Sequence, residues 1–243
     1  MSIAGRLVKR GMPMVGVPKT IDNDVWGTEL TFGFHTAVQT ATEALDRLHS
    51  TASAHHRVMI AEVMGRYAGW IALTAGVASG ADVVLIPEIP YDIDAVCRQC
   101  TDRSKRGKRF SIICVAEGAR PKGGRMVVKR RVASSTDPIR LGGVGKVLAS
   151  QIEGETGIES RVTVLGYLQR GGTPTAFDRM FATQLGHHAA HLLKTGKVGR
   201  MVALKAGRLS DVALESVTGK TRKVPAGSPL VAAARAVGTA FGD

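Results

Sequence analysis

The chain has 243 residues, 44% of them hydrophobic and 22% charged, which is enough to bury a sizeable core and excludes a disordered segment. Lys and Arg outnumber Asp and Glu by 33 to 20, and the formal charge of +13 points to anionic partners: phosphorylated metabolites, nucleotides, nucleic acid or an acidic surface. No apolar run approaches the roughly 18 residues that cross a bilayer, and the N-terminus MSIAGRLVKR has no signal-peptide pattern. Three cysteines are too few for a disulfide framework, so the chain is expected in the cytoplasm, off the membrane.

The first predicted strand, PMVGVP at 13–18, runs into PKTIDND at 18–24, where two acids flank an asparagine. A helical pattern at 31–49 follows, then a strand RVMIAEV at 57–63 ending in MGRYAG. Helix 67–79 leads to strand ADVVLIP at 81–87, and helix 92–106 to strand FSIICVAE at 110–117. Helix 143–154 precedes strand RVTVLGY at 161–167, which ends in LQRGG; helices at 176–194 and 229–240 complete the pattern. Apolar strands alternating with helices predict an α/β fold of doubly wound, Rossmann-like parallel sheets, with ligands at the carboxyl ends of the strands.

Every one of those strand ends carries charged or glycine-rich residues. Arg57, Arg66, Arg161 and Arg170 are expected to share one edge, where planar guanidinium forks suit phosphate oxygens. Asp22 and Asp24 add carboxylates that either take a proton from an attacking hydroxyl or hold Mg²⁺ on a phosphate. An Asx-turn accounts equally well for Asp22 taken alone. Glu117 is placed to accept from a sugar hydroxyl, or else is a surface acid at a strand end.

PKTIDND, the MGRYAG after RVMIAEV, and LGYLQRGGTPTAFDR, in that order, resemble the 6-phosphofructokinase family across essentially the whole chain. That resemblance implies phosphoryl transfer from ATP, or in some members pyrophosphate, to the C1 hydroxyl of fructose 6-phosphate, with Mg²⁺. It implies Asp22 as the catalytic base with Thr20 beside it, and Asp24 near the magnesium. Met64, Gly65 and Arg66 would line the sugar and the transferring phosphate, with Glu117 on sugar hydroxyls and Arg170 on the 6-phosphate. Arg57 and Arg161 would reach the sugar phosphate of a neighbouring subunit, and the resemblance therefore implies a homo-oligomer, commonly a dimer or tetramer. A two-lobed fold is implied, with 34–165 and 221–243 as the fructose 6-phosphate domain and 1–33 and 166–220 as an incomplete phosphoryl-donor domain.

The chain departs from the family pattern in three places. Tyr167 stands where many members have a histidine on the 6-phosphate, and Lys19 stands where the familiar bacterial ATP enzymes have glycine. The family's N-terminal donor-binding segment, with its glycine-rich phosphate loop, has no counterpart, so the chain reads as N-terminally truncated and weakly active or inactive by itself. A non-catalytic subunit that binds sugar phosphate or pairs with a full-length partner is the alternative to an enzyme. The segment 120–131 holds six basic residues and no acid, and is expected to be a solvated hairpin rather than a nucleic-acid surface, since it lacks aromatics for stacking. Cys97-x-x-Cys100 lacks a second ligand pair for zinc, and RLGGVGKV at 140–147 lacks the first glycine and the Ser/Thr of a P-loop.

Overall fold

The computed structural model describes residues 1–134 and 137–243. The chain forms two compact units, one from residues 1–37 and 172–222, the other from 38–171 and 223–243.

The second unit is built on a four-stranded parallel sheet: β2 (Val58–Val63), β3 (Val83–Leu85), β4 (Ser111–Ala116) and β7 (Ser160–Val164), in the order β3-β4-β2-β7. Every residue of β2, β3 and β4 is buried, as continuous β-branched runs covered on both faces must be. β7 is half exposed at the edge. Helix α3 (Trp70–Ala78) packs on β3 and β4, whereas α5 (Val144–Thr156) packs on β2, β7 and α4 (Ile93–Lys105). The connections leaving β2 and β4 therefore run to opposite faces, and the crevice beyond those two strands is the switch point of the sheet. The main core joins Ile60, Leu85, Val115, Leu148 and Ile152. Cys97 and Cys100 on α4 belong to that core, and Cys114 on β4 is wholly buried. Burial pushes the thiols of Cys97 and Cys114 up to about 12 and that of Cys100 up to about 11.

The one charged residue inside β2, Glu62, is 3% exposed. Its carboxylate accepts the Gly143 and Gly145 N–H groups, each at 2.8 Å, at the start of α5. The glycine loop of RLGGVGKV thus spends its amides on the chain's own carboxylate. The basic segment ends in a two-stranded antiparallel hairpin, β5 (Val128–Arg131) with β6 (Ile139–Leu141). Ser135 and Thr136 lie outside the described residues. Helix α8 (Pro229–Ala236) packs on α3, and the C-terminal segment joins the sheet where Ala240 bridges Val83 in parallel.

The first unit holds the sheet β1-β8-β9. In it β1 (Val15–Gly16) runs parallel to β8 (Arg200–Lys205), and β8 pairs antiparallel with β9 (Arg208–Ala213). Side chains alternate across β8. Val202 and Leu204 pack with Phe181, Leu185 and Leu192 of α6 (Ala176–Lys194), while Met201 and Ala203 pack with Leu214 and Val217 of α7 (Leu214–Val217) and Ala4 of α1 (Ser2–Val8). The β8–β9 turn places Ala206 and Gly207 at φ +48° and +71°, the doubly left-handed form that matches hairpin twist. Helix α2 (Phe34–His55) begins in the first unit and continues in the second.

Three predicted strands are markedly shortened. Strand 13–18 keeps only Val15–Gly16 in the ladder, 81–87 keeps Val83–Leu85, and 161–167 stops at Val164, with Tyr167 in a 3-10 helix, Gly166–Arg170. Among the described residues no helix is long and apolar enough to cross a membrane.

Candidate active site

In the first unit the turn after β1 is tied to itself. Thr20 Oγ1 donates to Asp22 Oδ2 at 3.3 Å, and the Asp22 N–H donates to Thr20 Oγ1 at 3.2 Å, so hydroxyl and carboxylate face each other. Asn23 is 2% exposed and sits at φ +54°. Its Oδ1 accepts the Thr31 N–H at 3.0 Å, and the Thr31 hydroxyl donates to the Thr20 carbonyl at 2.7 Å. Arg222 closes the turn from outside: its N–H donates to the Asp24 carbonyl at 2.8 Å and its guanidinium to the Asn23 carbonyl at 3.0 Å. Asp22, Asp24 and Thr20 are all half-buried, and Lys19 is exposed just ahead of them.

The start of α2 is held by a buried carboxylate in α6. Asp178 accepts the Gly33 and Thr36 N–H groups at 2.8 and 2.7 Å and the Thr36 hydroxyl at 2.5 Å. His35, in the first turn of α2, packs against the Phe177 ring at 4.0 Å between centroids. Burial lowers its pKa below the ordinary 6.5, with Asp178 pulling the other way.

In the second unit the carboxyl ends of β2, β4 and β7 meet. Gly65 has φ +138°, and a Cβ there would lie 2.6 Å from the Ala68 carbonyl oxygen, so only glycine fits. Arg66 follows at φ +51°, an uncommon conformation for a residue other than glycine, and is pinned twice. Its N–H donates to Glu117 Oε1 at 3.1 Å, and its guanidinium pairs with Asp137 at 2.6 Å. The Tyr67 hydroxyl donates to the same Asp137 at 3.1 Å. Gln169, 1% exposed, accepts the Met64 N–H at 3.4 Å and donates to the Gly166 carbonyl at 3.3 Å, tying the end of β2 to the 3-10 helix. On that helix the Arg170 guanidinium lies 5.3 Å over the Tyr167 ring, which is 76% exposed.

Met64, Gly65, Arg66, Glu117, Tyr167 and Arg170 are thus gathered at the carboxyl ends of their strands. Arg57 and Arg161 are not. Arg57 immediately precedes β2 and Arg161 is the second residue of β7, so both lie at the amino ends, sharing Glu159 as an ion-pair partner. The expectation that four arginines share an edge is corrected: a residue at the start of a parallel strand lies a whole strand length from the residue at its end. The paired guanidinium groups hold the Glu159 carboxyl below the usual range.

Asn23, Thr31, Gln169, Asp137 and Arg222 escaped the sequence reading. Asn23 stood inside a motif already singled out, and a buried asparagine at positive φ is a recognisable turn device. Thr31 acts on Thr20 and Asn23, 11 and 8 positions away, and Gln169, Asp137 and Arg222 act through partners far along the chain, which local patterns do not reveal. Among the described residues no three acidic, His or Cys side chains converge as a metal-ligand cluster.

The model of the family described as Phosphofructokinase matches residues 1–193. The chain is 52% identical to an ATP-dependent 6-phosphofructokinase of Spirochaeta thermophila, covering 98% of this chain and 65% of that protein. It is also 52% identical to a pyrophosphate–fructose 6-phosphate 1-phosphotransferase of Streptomyces coelicolor, over 92% of this chain and 66% of that one. The chain thus spans just under two thirds of these relatives. A pyrophosphate-dependent phosphofructokinase structure from Marinobacter aquaeolei superposes with a TM-score of 0.75 at 25% identity, covering 91% of this chain and 57% of that one. With its strand-end cluster, its TIDND turn and these likenesses, the chain belongs to the phosphofructokinase family.

Proposed function

We propose that the chain carries the sugar-phosphate and proton-transfer residues of a 6-phosphofructokinase, which moves a phosphoryl group from ATP to the C1 hydroxyl of fructose 6-phosphate. The observation that carries this reading is the Thr20–Asp22 pair, held in a turn that Asn23, Thr31 and Arg222 hold still. Asp22 takes the proton of the attacking hydroxyl as its oxygen becomes the nucleophile, and Thr20 orients that carboxylate. The residues of the second unit take the acceptor: Glu117 the sugar hydroxyls, Arg170 with Tyr167 the 6-phosphate, Met64 and Gly65 the ring, and Arg66 the transferring phosphoryl. On this reading the second unit is the sugar-phosphate domain and the first belongs to the donor domain.

The donor set fits Mg²⁺: half-buried carboxylates on one turn are hard oxygen ligands, and magnesium commonly completes its shell with water and substrate phosphates. Asp24 is the residue assigned to it, and the ion would neutralise charge on the donor phosphates. Arg57 and Arg161, held by Glu159, are assigned to the sugar phosphate of a second copy in a homo-oligomer. Their position away from the strand-end cluster supports that assignment.

Asp22→Asn tests the reading. The variant should lose roughly 10²–10⁴-fold in kcat while fructose 6-phosphate binding, followed by calorimetry, stays within about twofold. Unchanged kcat would remove Asp22 from the chemistry. Sugar-phosphate binding with no turnover by the unaltered chain would support a non-catalytic partner subunit instead. Lys19, which stands ahead of this motif in pyrophosphate-using and in some ATP-using members, does not choose the donor, and the Streptomyces coelicolor relative keeps pyrophosphate as a second donor reading. The same assay with pyrophosphate in place of ATP decides between them.

A further inference from the structure

The basic hairpin covers a groove that none of the assigned residues Glu117, Arg170 or Arg66 lines. Its volume is about 330 Å³, at the small end of ligand pockets. The floor is apolar: Tyr67, Met126, Val128 and Leu141. Arg120, Arg125 and Arg131 stand at its rim, all exposed. Among the described residues none of these three guanidinium groups pairs with an acid. Val128 is 41% exposed although it sits on a strand, so the groove presents bare apolar surface along with cations that no acid pairs.

The walls are anchored at both ends. Arg120 and Lys122 are fixed to Tyr91 by backbone hydrogen bonds of 3.0 and 2.7 Å, and the Val132 N–H donates to the Pro138 carbonyl at 2.8 Å. Tyr67 is held by its hydroxyl on Asp137, leaving its ring to the groove. An apolar floor alone would call for an apolar ligand, and a surface patch of arginines alone for any polyanion. The two together, in a space of one ring system, call for a small molecule that carries both.

We propose that this groove is a binding site for a small organic phosphate with a flat apolar body, its phosphate taken by Arg125 and Arg131 and its body laid on Tyr67 and Val128. Planar guanidinium forks recognise a phosphate bidentately, and an aromatic wall accepts a flat ring at little entropic cost. The groove adjoins the strand-end cluster through Tyr67, next to Arg66, but none of the proposed fructose 6-phosphate residues lines it, and the proposal does not depend on the kinase reading.

Calorimetric titration with phenyl phosphate as the probe tests it. Binding is expected in the unaltered chain, to persist under saturating fructose 6-phosphate and in Arg170→Ala, and to weaken about tenfold or more in R125A/R131A. Both arginines are exposed, so the double variant should keep its melting temperature; Val128→Glu, which places an acid on the floor, should weaken the probe independently. Inorganic phosphate should bind at least about tenfold more weakly, since it lacks the body. Displacement by fructose 6-phosphate, indifference of the probe to R125A/R131A, or equal affinity for inorganic phosphate would each overturn the assignment. So would a single-stranded oligonucleotide that binds more tightly than phenyl phosphate and loses binding in the double variant, which would make the groove a nucleic-acid contact.

Discussion

Asn23 combines two costs that the fold accepts at one position: a left-handed backbone at φ +54° and a polar side chain only 2% exposed. Alanine there would leave the Thr31 N–H without its acceptor and put a Cβ-bearing residue with no local hydrogen bond into the left-handed region. Asn23→Ala is therefore expected to cost about 2–4 kcal/mol in denaturant unfolding, and Asn23→Asp, which keeps the acceptor, clearly less. Equal stabilities for the two variants would show that the amide oxygen does not hold the turn. At this scale, sequence motifs picked out Asp22, Arg66, Glu117 and Arg170 as candidates because each follows a strand and carries chemistry of its own. Gln169 and Asp137 were not legible, since their work is done on Met64 and Arg66, 105 and 71 positions away.

The element that depends most on one side chain is α5. Its first turn has no side-chain cap of its own, and Glu62 from the middle of β2 supplies the acceptor instead. Removing it in Glu62→Ala strands two amide groups and a cavity beside Val162, at an expected cost of about 3–5 kcal/mol, read as a lowered denaturation midpoint. Glu62→Gln, with one carbonyl oxygen left to accept, should recover part of it. Helix α2 carries a pH dependence. Because His35 is lowered from 6.5, the unfolded chain binds a proton more readily than the folded one. Its contribution is whole above pH 6.5 and is lost as pH falls from 6.5 to the lowered value. Melting temperature should thus fall over that window, and His35→Gln should flatten it. The four parallel strands of the second unit were legible as unbroken apolar runs. A hairpin at 120–131 was expected, but its pairing of β5 with β6 at 139–141 was not legible, because all four residues of β5 are exposed and carry no alternation. The β8–β9 hairpin was overlooked, since its turn, Ala206–Gly207, carries only half of the usual glycine-rich signal.

On the scale of the molecule, an α/β architecture and parallel pairing could be read from the alternation of strands and helices, whereas the antiparallel β9 could not, because pairing direction is set by turn geometry. The +13 charge finds its clearest local expression in segment 120–131, which holds six basic residues and no acid. The chain crosses between its two units three times, at 37/38, 171/172 and 222/223, yet each unit has a core of its own. All three cysteines fall in the second. With thiols raised to about 11–12 and covered, almost no thiolate meets solvent at neutral pH. Alkylation by iodoacetamide must then wait for the second unit to open, and its rate becomes a stopwatch for that opening alone. Fructose 6-phosphate, if it binds there, should slow modification in proportion to its occupancy, while unfolding confined to the first unit should leave the rate untouched. A label taken up within seconds by the native chain would show that the β4–α4 layer breathes far more freely than its burial implies.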